Sequence, residues 1–139
     1  MTERCLIDTN LLVYAFDESD AKHAAAETLL KDLVNSGRGV VSVQNLAEFS
    51  RVMTEKIPSR LSGSQARSLV LRLSDNLVVV EYDARTVADA LAMHERYGVH
   101  FFDALLVATM EQHGVTKIVT ENAGDFKGIE WLEAKNPFE

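Results

Sequence analysis

The stretch Arg4-Cys5-Leu6-Ile7-Asp8-Thr9-Asn10 decides the fold. Its apolar run, Cys5-Leu6-Ile7, has the character of a short buried strand. That strand ends on a carboxylate, Asp8. Thr9 and Asn10 are good helix starters, and Leu11 to Phe16 is the helix they start. An acid at the C-terminal end of a strand that opens into a helix stands where open α/β sheets hold their ligands.

Outward from there the pattern repeats. Ala21 to Val34 predicts a helix with Ala25, Leu29, Leu30 and Leu33 on one face, closed by Asn35-Ser36-Gly37. Gly39-Val40-Val41-Ser42-Val43 reads as a second strand. Ser42 caps a helix from Gln44 to Lys56, with Leu46, Phe49, Val52 and Met53 inward. Ile57-Pro58-Ser59 is a break, because proline disfavours helix in the residue before it. Ser62-Gly63-Ser64 opens another helix to Ser74, with Ala66, Leu69, Val70 and Leu73 inward. Leu77 to Tyr82 is a third strand, Asp83 caps a helix from Ala84 to Tyr97, and Gly98 ends it.

The next helix, Phe101 to Met110, is apolar all round apart from Asp103 and Thr109, which predicts central burial. Lys117 to Thr120 is a fourth strand, Glu121 to Phe126 a loop or single turn, Ile129 to Leu132 a short fifth strand, and the tail from Asn136 is irregular. Strands alternating with helices imply an α/β fold with a parallel sheet covered on both faces. Right-handed crossovers bring the C-terminal ends of the strands to one edge. With no repeat, low-complexity run or linker, residues 1–139 read as one domain.

Composition narrows the function classes. The chain is 47% hydrophobic and 25% charged, as soluble globular proteins are. No apolar run approaches the roughly 20 residues of a membrane span, and no signal-peptide pattern precedes the first strand. Cys5 is the single cysteine, so no disulfide framework or cysteine-rich metal site exists, and a cytoplasmic location is expected. The net charge of −7 argues against a non-specific nucleic-acid coat.

That charge is uneven. Lys31, Arg38, Arg51, Lys56, Arg60, Arg67 and Arg72 face only Asp32, Glu48 and Glu55, an excess of four that leaves −11 elsewhere. A polyanion can meet such a basic face, although exposed helices also carry Arg and Lys without any partner. Arg51, one turn from Glu48, is the best candidate for a phosphate contact, with Arg60, Arg67 and Arg72 extending the path.

Four acids follow strands or begin helices at the same edge: Asp8, Glu48, Asp103 and Asp125, with Thr120 and Asn122 beside the last. Converging carboxylates repel one another and raise each other's pKa. A divalent cation resolves the conflict, and Mg²⁺ and Mn²⁺ favour carboxylate and water ligands. Such a site polarises a phosphate oxygen and activates water. Each acid also has a plainer reading. Asp8 can be a helix cap, Glu48 can pair with Arg51, Asp103 can favour the positive end of a helix, and Asp125 beside Gly124 is ordinary turn chemistry. His23, His94 and His113 lie singly on predicted helices, and His100 reads as a capping or packing residue.

Together these residues resemble the PIN domain, in particular the VapC-like toxins of bacterial toxin–antitoxin pairs. The marks are Ile7-Asp8-Thr9-Asn10, Asn45-Leu46-Ala47-Glu48-Phe49, Phe102-Asp103-Ala104-Leu105, Thr120-Glu121-Asn122 with Asp125-Phe126, and the closing Asn136-Pro137-Phe138. The resemblance implies a three-layer α/β/α fold with strand order 3-2-1-4-5 and a Mg²⁺- or Mn²⁺-dependent ribonuclease. It implies that Asp8, Glu48 and Asp103 hold the metal, that Thr9 and Asn10 support them, and that Asn122 or Asp125 fills the fourth position. It further implies a homodimer and an antitoxin partner; the long amphipathic helices Ala21 to Val34 and Ala84 to Tyr97 have apolar surface to spare for a dimer. Two other functions compete: a PIN-fold binding module with little chemistry, and a phosphotransfer protein with an acidic pocket. The RNA target is not legible in the sequence.

Overall fold

Alternation along four short strands divides the core in two. The computed structural model describes residues 3–139. The strands are β1 (Cys5–Ile7), β2 (Gly39–Ser42), β3 (Val78–Val80), β4 (Lys117–Val119) and β5 (Glu133–Lys135). They form one sheet in the order β3-β2-β1-β4-β5, with every neighbouring pair parallel. Leu6, Val40, Val80 and Ile118 point into one buried cluster, while Cys5, Ile7, Val41 and Val119 point into the other. The period of two in a strand sends neighbours to opposite faces, so both faces must be covered.

The helices supply the cover. Helices α1 (Thr9–Phe16), α2 (His23–Ser36), α3 (Val43–Glu55) and α4 (Gly63–Asn76) close one face; α5 (Ala84–Tyr97) and α6 (Phe101–Gln112) close the other. Residues Ala104 to Met110 of α6 are buried without a break, as its all-round apolarity predicts. Each large aliphatic side chain buried there contributes about 1.5–3 kcal/mol. The result is the covered parallel sheet that the alternation of elements predicts, in the strand order that the resemblance implies.

The helix starts follow local chemistry. Capping boxes form at Ser42 with Asn45, Ser62 with Gln65 and Asp83 with Thr86. Gly37 and Gly98 adopt the left-handed conformation that ends α2 and α5, with φ of 71° and 67°. Three starts differ from expectation, α3 only in that Val43 joins the helix instead of β2. Asp8 itself caps α1, so the helix begins at Thr9. Helix α2 begins at His23 because Asp17 and Asp20 hold the preceding turns: the Asp20 carboxylate accepts from Lys22 N at 2.8 Å. On α2 it is Ala26, not the expected Ala25, that is buried.

The fifth strand also differs. Ile129 to Leu132 is a turn closed by Leu132 N donating to Ile129 O at 3.1 Å, and β5 follows at Glu133–Lys135. The apolarity of Ile129 and Leu132 signals core contacts beneath the sheet edge rather than pairing. The strand itself carries Glu133 and Lys135 outward, as edge strands do.

Gly39 is required for space. A Cβ there would lie 2.5 Å from Leu77 Cδ2 and 3.3 Å from Leu33 Cβ. Gly39→Val is expected to destabilise the fold by about 1–3 kcal/mol through overpacking, and Gly39→Ala by less, because the Leu77 methyl can turn away. Chemical denaturation of the two variants beside the parent checks this; equal midpoints for all three would contradict the tight approach.

Candidate active site

The strand order reverses direction at β1, whose neighbours β2 and β4 are reached by different routes. The crevice beyond the C-terminal ends of β1 and β4 is therefore a topological switch point, where α/β sheets bind ligands. An open cleft of about 440 Å³ lies there, and Asp8, Glu48 and Asp103 all line it with Thr9, Asn10, Gln44, Arg51 and Asn122.

Asp8 is held from two sides. Its Oδ1 accepts from Thr9 N at 2.8 Å and its Oδ2 from the Thr120 hydroxyl at 2.7 Å. Its own N–H donates to Val119 O at 3.0 Å, which locks the end of β1 to the end of β4. The capping reading and the cleft reading of Asp8 are thus both true in space: one oxygen caps α1 and the other is tied to the strand next door. Burial pushes its carboxyl above the ordinary carboxylate range, the two hydrogen bonds pull it back, and the charge of Asp125 raises it further.

Glu48 is oriented by a relay. Asn45 Oδ1 accepts from Ser42 N at 3.0 Å and from Ser42 Oγ at 2.9 Å, which leaves Asn45 Nδ2 to donate to Thr9 Oγ1 at 3.1 Å. The Thr9 hydroxyl, having accepted, donates to Glu48 Oε1 at 2.8 Å. Thr9 therefore touches Asp8 through its N–H and Glu48 through its hydroxyl. No ion pair joins Glu48 to Arg51 among the described residues.

Asp103 sits in the first turn of α6. Burial raises its carboxyl most, the charges of Asp8 and Asp125 raise it next, His100 opposes them, and Glu48 adds a smaller rise. Asp8, Glu48, Asp103 and Asp125 are thereby felt together as one electrostatic group. Asp125 is exposed on a single turn, Ala123–Phe126, and does not line the cleft; Asn122 does. Thr120 bridges the two regions, since it donates to Asp8 and accepts from Asn122 N at 3.1 Å.

Glu121, a fifth acid at this edge, is neutralised. It pairs with Lys22 and accepts from the Tyr14 hydroxyl at 3.1 Å, and the Lys22 hydrogen bond holds its carboxyl below the usual range. Its N–H donates to Asn10 Oδ1 at 3.3 Å, fixing the Asn10 amide at the cleft.

The basic candidates separate. Arg51 lines the cleft, and with Arg67 it also lines an adjoining groove between α3 and α4. Arg72 lies against a different hollow with Glu27 and Lys31. Arg60 is exposed in the turn before α4.

Two residues escape sequence reasoning. Asn45 and Gln44 are both buried on α3; Gln44 lines the cleft, and Asn45 reaches it through its bond to Thr9. Asn45 carries a local signal, its place three after the capping Ser42, but its second bond to Thr9 crosses the chain. Gln44 precedes Glu48 by one helical turn, and that spacing puts both on one face.

The donor set fits a hard cation in its chemistry, because it is carboxylate oxygen throughout and no Lys or Arg pairs with Asp8, Glu48, Asp103 or Asp125 among the described residues. In this arrangement, with Glu48 turned to Thr9 and Asp8 to Thr120, no three acid, His or Cys side chains among the described residues converge on a single ion position.

Known structures share this architecture. A toxin–antitoxin complex from Klebsiella pneumoniae superimposes with a TM-score of 0.71 at 21% identity, covering 97% of this chain and 98% of that one. DNA-bound VapBC from Salmonella typhimurium gives 0.70 at 18% identity, over 98% and 99%. A sarcin–ricin-loop-cleaving toxin from Mycobacterium tuberculosis gives 0.60 at 22% identity, over 82% and 86%. At such identities the likeness is one of fold. No curated protein sequence matches the chain significantly. The PIN domain family model matches residues 5–132. The chain therefore belongs to the PIN domain family.

Proposed function

We propose that this chain is a metal-dependent endoribonuclease and the toxin of a toxin–antitoxin pair. The observation that carries the nuclease reading is the meeting of Asp8, Glu48 and Asp103 on one cleft at the switch point, with no ion pair to a Lys or Arg among the described residues. Asp8, Glu48 and Asp103 would hold Mg²⁺ or Mn²⁺, with Asp125 adding charge from the rim. A bound cation of this kind polarises a phosphate oxygen and makes water a nucleophile near neutral pH.

The side chains divide the remaining work. Thr9 and Thr120 orient the Asp8 and Glu48 carboxylates through the hydrogen bonds described above. Asn10 and Asn122 offer neutral polar groups to the substrate at the cleft wall. Arg51 supplies a positive contact for a phosphate beside the acids, and Arg67 continues it along the α3–α4 groove.

The toxin reading draws on the toxin–antitoxin complexes among the structural neighbours. An antitoxin segment that carries Arg or Lys answers the same negative cleft as a metal does. Pairing of two copies belongs to this reading, and exposed Leu91 on α5 leaves apolar surface for it. A second reading, a PIN-fold binding module with little chemistry, is favoured by the absence of any three acid, His or Cys side chains converging on one ion position among the described residues.

Cleavage of an unstructured RNA with Mn²⁺, abolished by chelation, separates the two readings. Asp103→Asn is expected to lower that cleavage by about a hundredfold or more. The same change should raise the melting temperature of the metal-free protein at neutral pH. The sign follows from linkage: a carboxyl raised in the folded state binds its proton more tightly there, so ionisation above that raised value weighs against folding. The advantage of Asn then shrinks as pH falls through the raised value to the ordinary one. A fully active Asp103→Asn protein, or one less stable at neutral pH without metal, contradicts the assignment.

Mn²⁺ should also stabilise the parent protein by mass action, by about 2.7 kcal/mol at a hundred times its Kd, and chelation should reverse the gain. Thermal melts with and without Mn²⁺ check it, and the gain should be smaller in Asp103→Asn.

Arg67→Glu is expected to weaken RNA binding and to reduce the slope of log affinity against log salt by about one, with Mn²⁺ affinity unchanged. An unchanged salt slope would place the RNA path off the α3–α4 groove.

A further inference from the structure

Part of the cleft has no role in the cleavage proposed above. Besides the acids, Val13, Tyr14 and Val52 line it. Helix spacing brings them together. On α1, Val13 and Tyr14 follow Asn10 by one turn; on α3, Arg51 and Val52 follow Glu48 by one turn. Each helix therefore contributes one residue at the acid end and apolar surface one turn, about 5.4 Å, further along. That separation is comparable with the reach from a phosphate across its ribose to the base.

The Tyr14 ring is half-buried, and its neighbours fix it. Its hydroxyl donates to Glu121 Oε1 at 3.1 Å. Phe138 meets it edge-on, with ring centroids 5.7 Å apart at 76°, and Lys22 Nζ lies 5.3 Å from the centroid of each ring. The chain's last residues brace this arrangement: Phe138 N donates to Asn136 Oδ1 at 2.9 Å, and Asn136 Nδ2 to Glu121 O at 3.1 Å. The closing Asn136-Pro137-Phe138 thus holds an aromatic ring in the cleft wall. A ring immobilised beforehand loses little freedom when a ligand meets it. Beside it, Asn10 Oδ1 accepts from Glu121 N, so the Asn10 NH₂ is left to donate and has no partner among the described residues.

A fixed aromatic ring, an apolar neighbour and one amide donor suit an unpaired nucleobase, which stacks by its face and accepts at its edge. The position favours a base over an apolar peptide side chain, because Arg51 and the acids beside it are the groups that would meet the adjoining phosphate. Phe102, although 55% exposed, does not line the cleft.

We propose that the Tyr14 end of the cleft is a nucleobase subsite: the base of a nucleotide joined to the scissile phosphate stacks on Tyr14 against Val52, and Asn10 Nδ2 donates to its edge. The proposal rests on the nuclease reading above. It makes Tyr14 a substrate-binding residue, distinct from the acids that govern the chemistry.

The test maps the cleaved bond of an RNA oligonucleotide with Mn²⁺, then compares that oligonucleotide with two copies that are abasic at one or the other nucleotide of the bond. Affinities are measured with Ca²⁺ in place of Mn²⁺, for the parent protein, Tyr14→Phe, Tyr14→Leu and Phe102→Leu. At one of the two positions, loss of the base should weaken binding to the parent by about tenfold, the effect of one base stacked on an aromatic ring. Tyr14→Phe and Phe102→Leu should keep that ratio. Tyr14→Leu should bring the intact and abasic forms within about a factor of two of each other.

A parent that loses less than twofold at both positions overturns the proposal, a result that needs no folded variant. Discrimination that survives Tyr14→Leu overturns it too, and if both affinities fall together there, Tyr14 serves only to shape the wall. Discrimination lost in Phe102→Leu or in Tyr14→Phe places the base elsewhere or gives its recognition to the hydroxyl, and either overturns the stacking. Cleavage of RNA by the parent alongside any of these leaves the nuclease reading standing. A parent that neither cleaves nor binds RNA removes the nuclease reading and this one together.

Discussion

Like charge held at one edge of a sheet is the constraint on which the site depends. Asp8, Asp125 and Glu48 each disfavour ionisation of Asp103, Asp125 does the same to Asp8, and burial is the larger cause for both Asp8 and Asp103. A fold selected for stability alone would separate these groups or pair them with Lys or Arg. Glu121, at the same edge, shows that alternative at work: Lys22 and Tyr14 neutralise and hold it. The unpaired acids and the paired one stand side by side, so the difference lies in the partners that the fold brings to each.

The strain is contained by hydrogen bonds that come from the sheet and the helix starts. Thr120, at the end of β4, and the N–H of Thr9, at the start of α1, each hold one oxygen of Asp8. The capping box at Ser42 does more than start α3. Once its Oδ1 is committed to Ser42, Asn45 has only its NH₂ to offer, and that sets the direction of every proton from Asn45 through Thr9 to Glu48. Local helix chemistry thereby decides the orientation of a cleft carboxylate. The Asp8 N–H bond to Val119 O keeps β1 and β4 in register at the point where the cleft opens.

Much of this was readable along the chain. The α/β alternation, the caps at Ser42, Ser62 and Asp83, the terminating Gly37 and Gly98 and the buried helix from Phe101 all follow from patterns a few residues long. Asp103 stood out because it interrupts an otherwise apolar helix. The errors have the same origin. Ile129 to Leu132 is apolar enough for a strand, but its side chains serve the core under the sheet edge and the pairing begins one residue later. Helix α2 starts late because Asp20 captures the Lys22 N–H, a competition between turn and helix that periodicity alone does not register.

What the sequence determined by itself is therefore the set of elements and the acids at their ends, since helix period, strand alternation and capping are decided by neighbours within one or two turns. What only the tertiary structure decided is which of those groups meet. Thr120 reaches Asp8 across 112 positions, Asn45 reaches Thr9 across 36, and Gln44 reaches Phe102 across 58. Asp125 fell outside the cleft and Asn122 inside it, although only two residues separate them. Such meetings depend on strand order and on packing summed over both faces of the sheet, and no short window of sequence contains that sum.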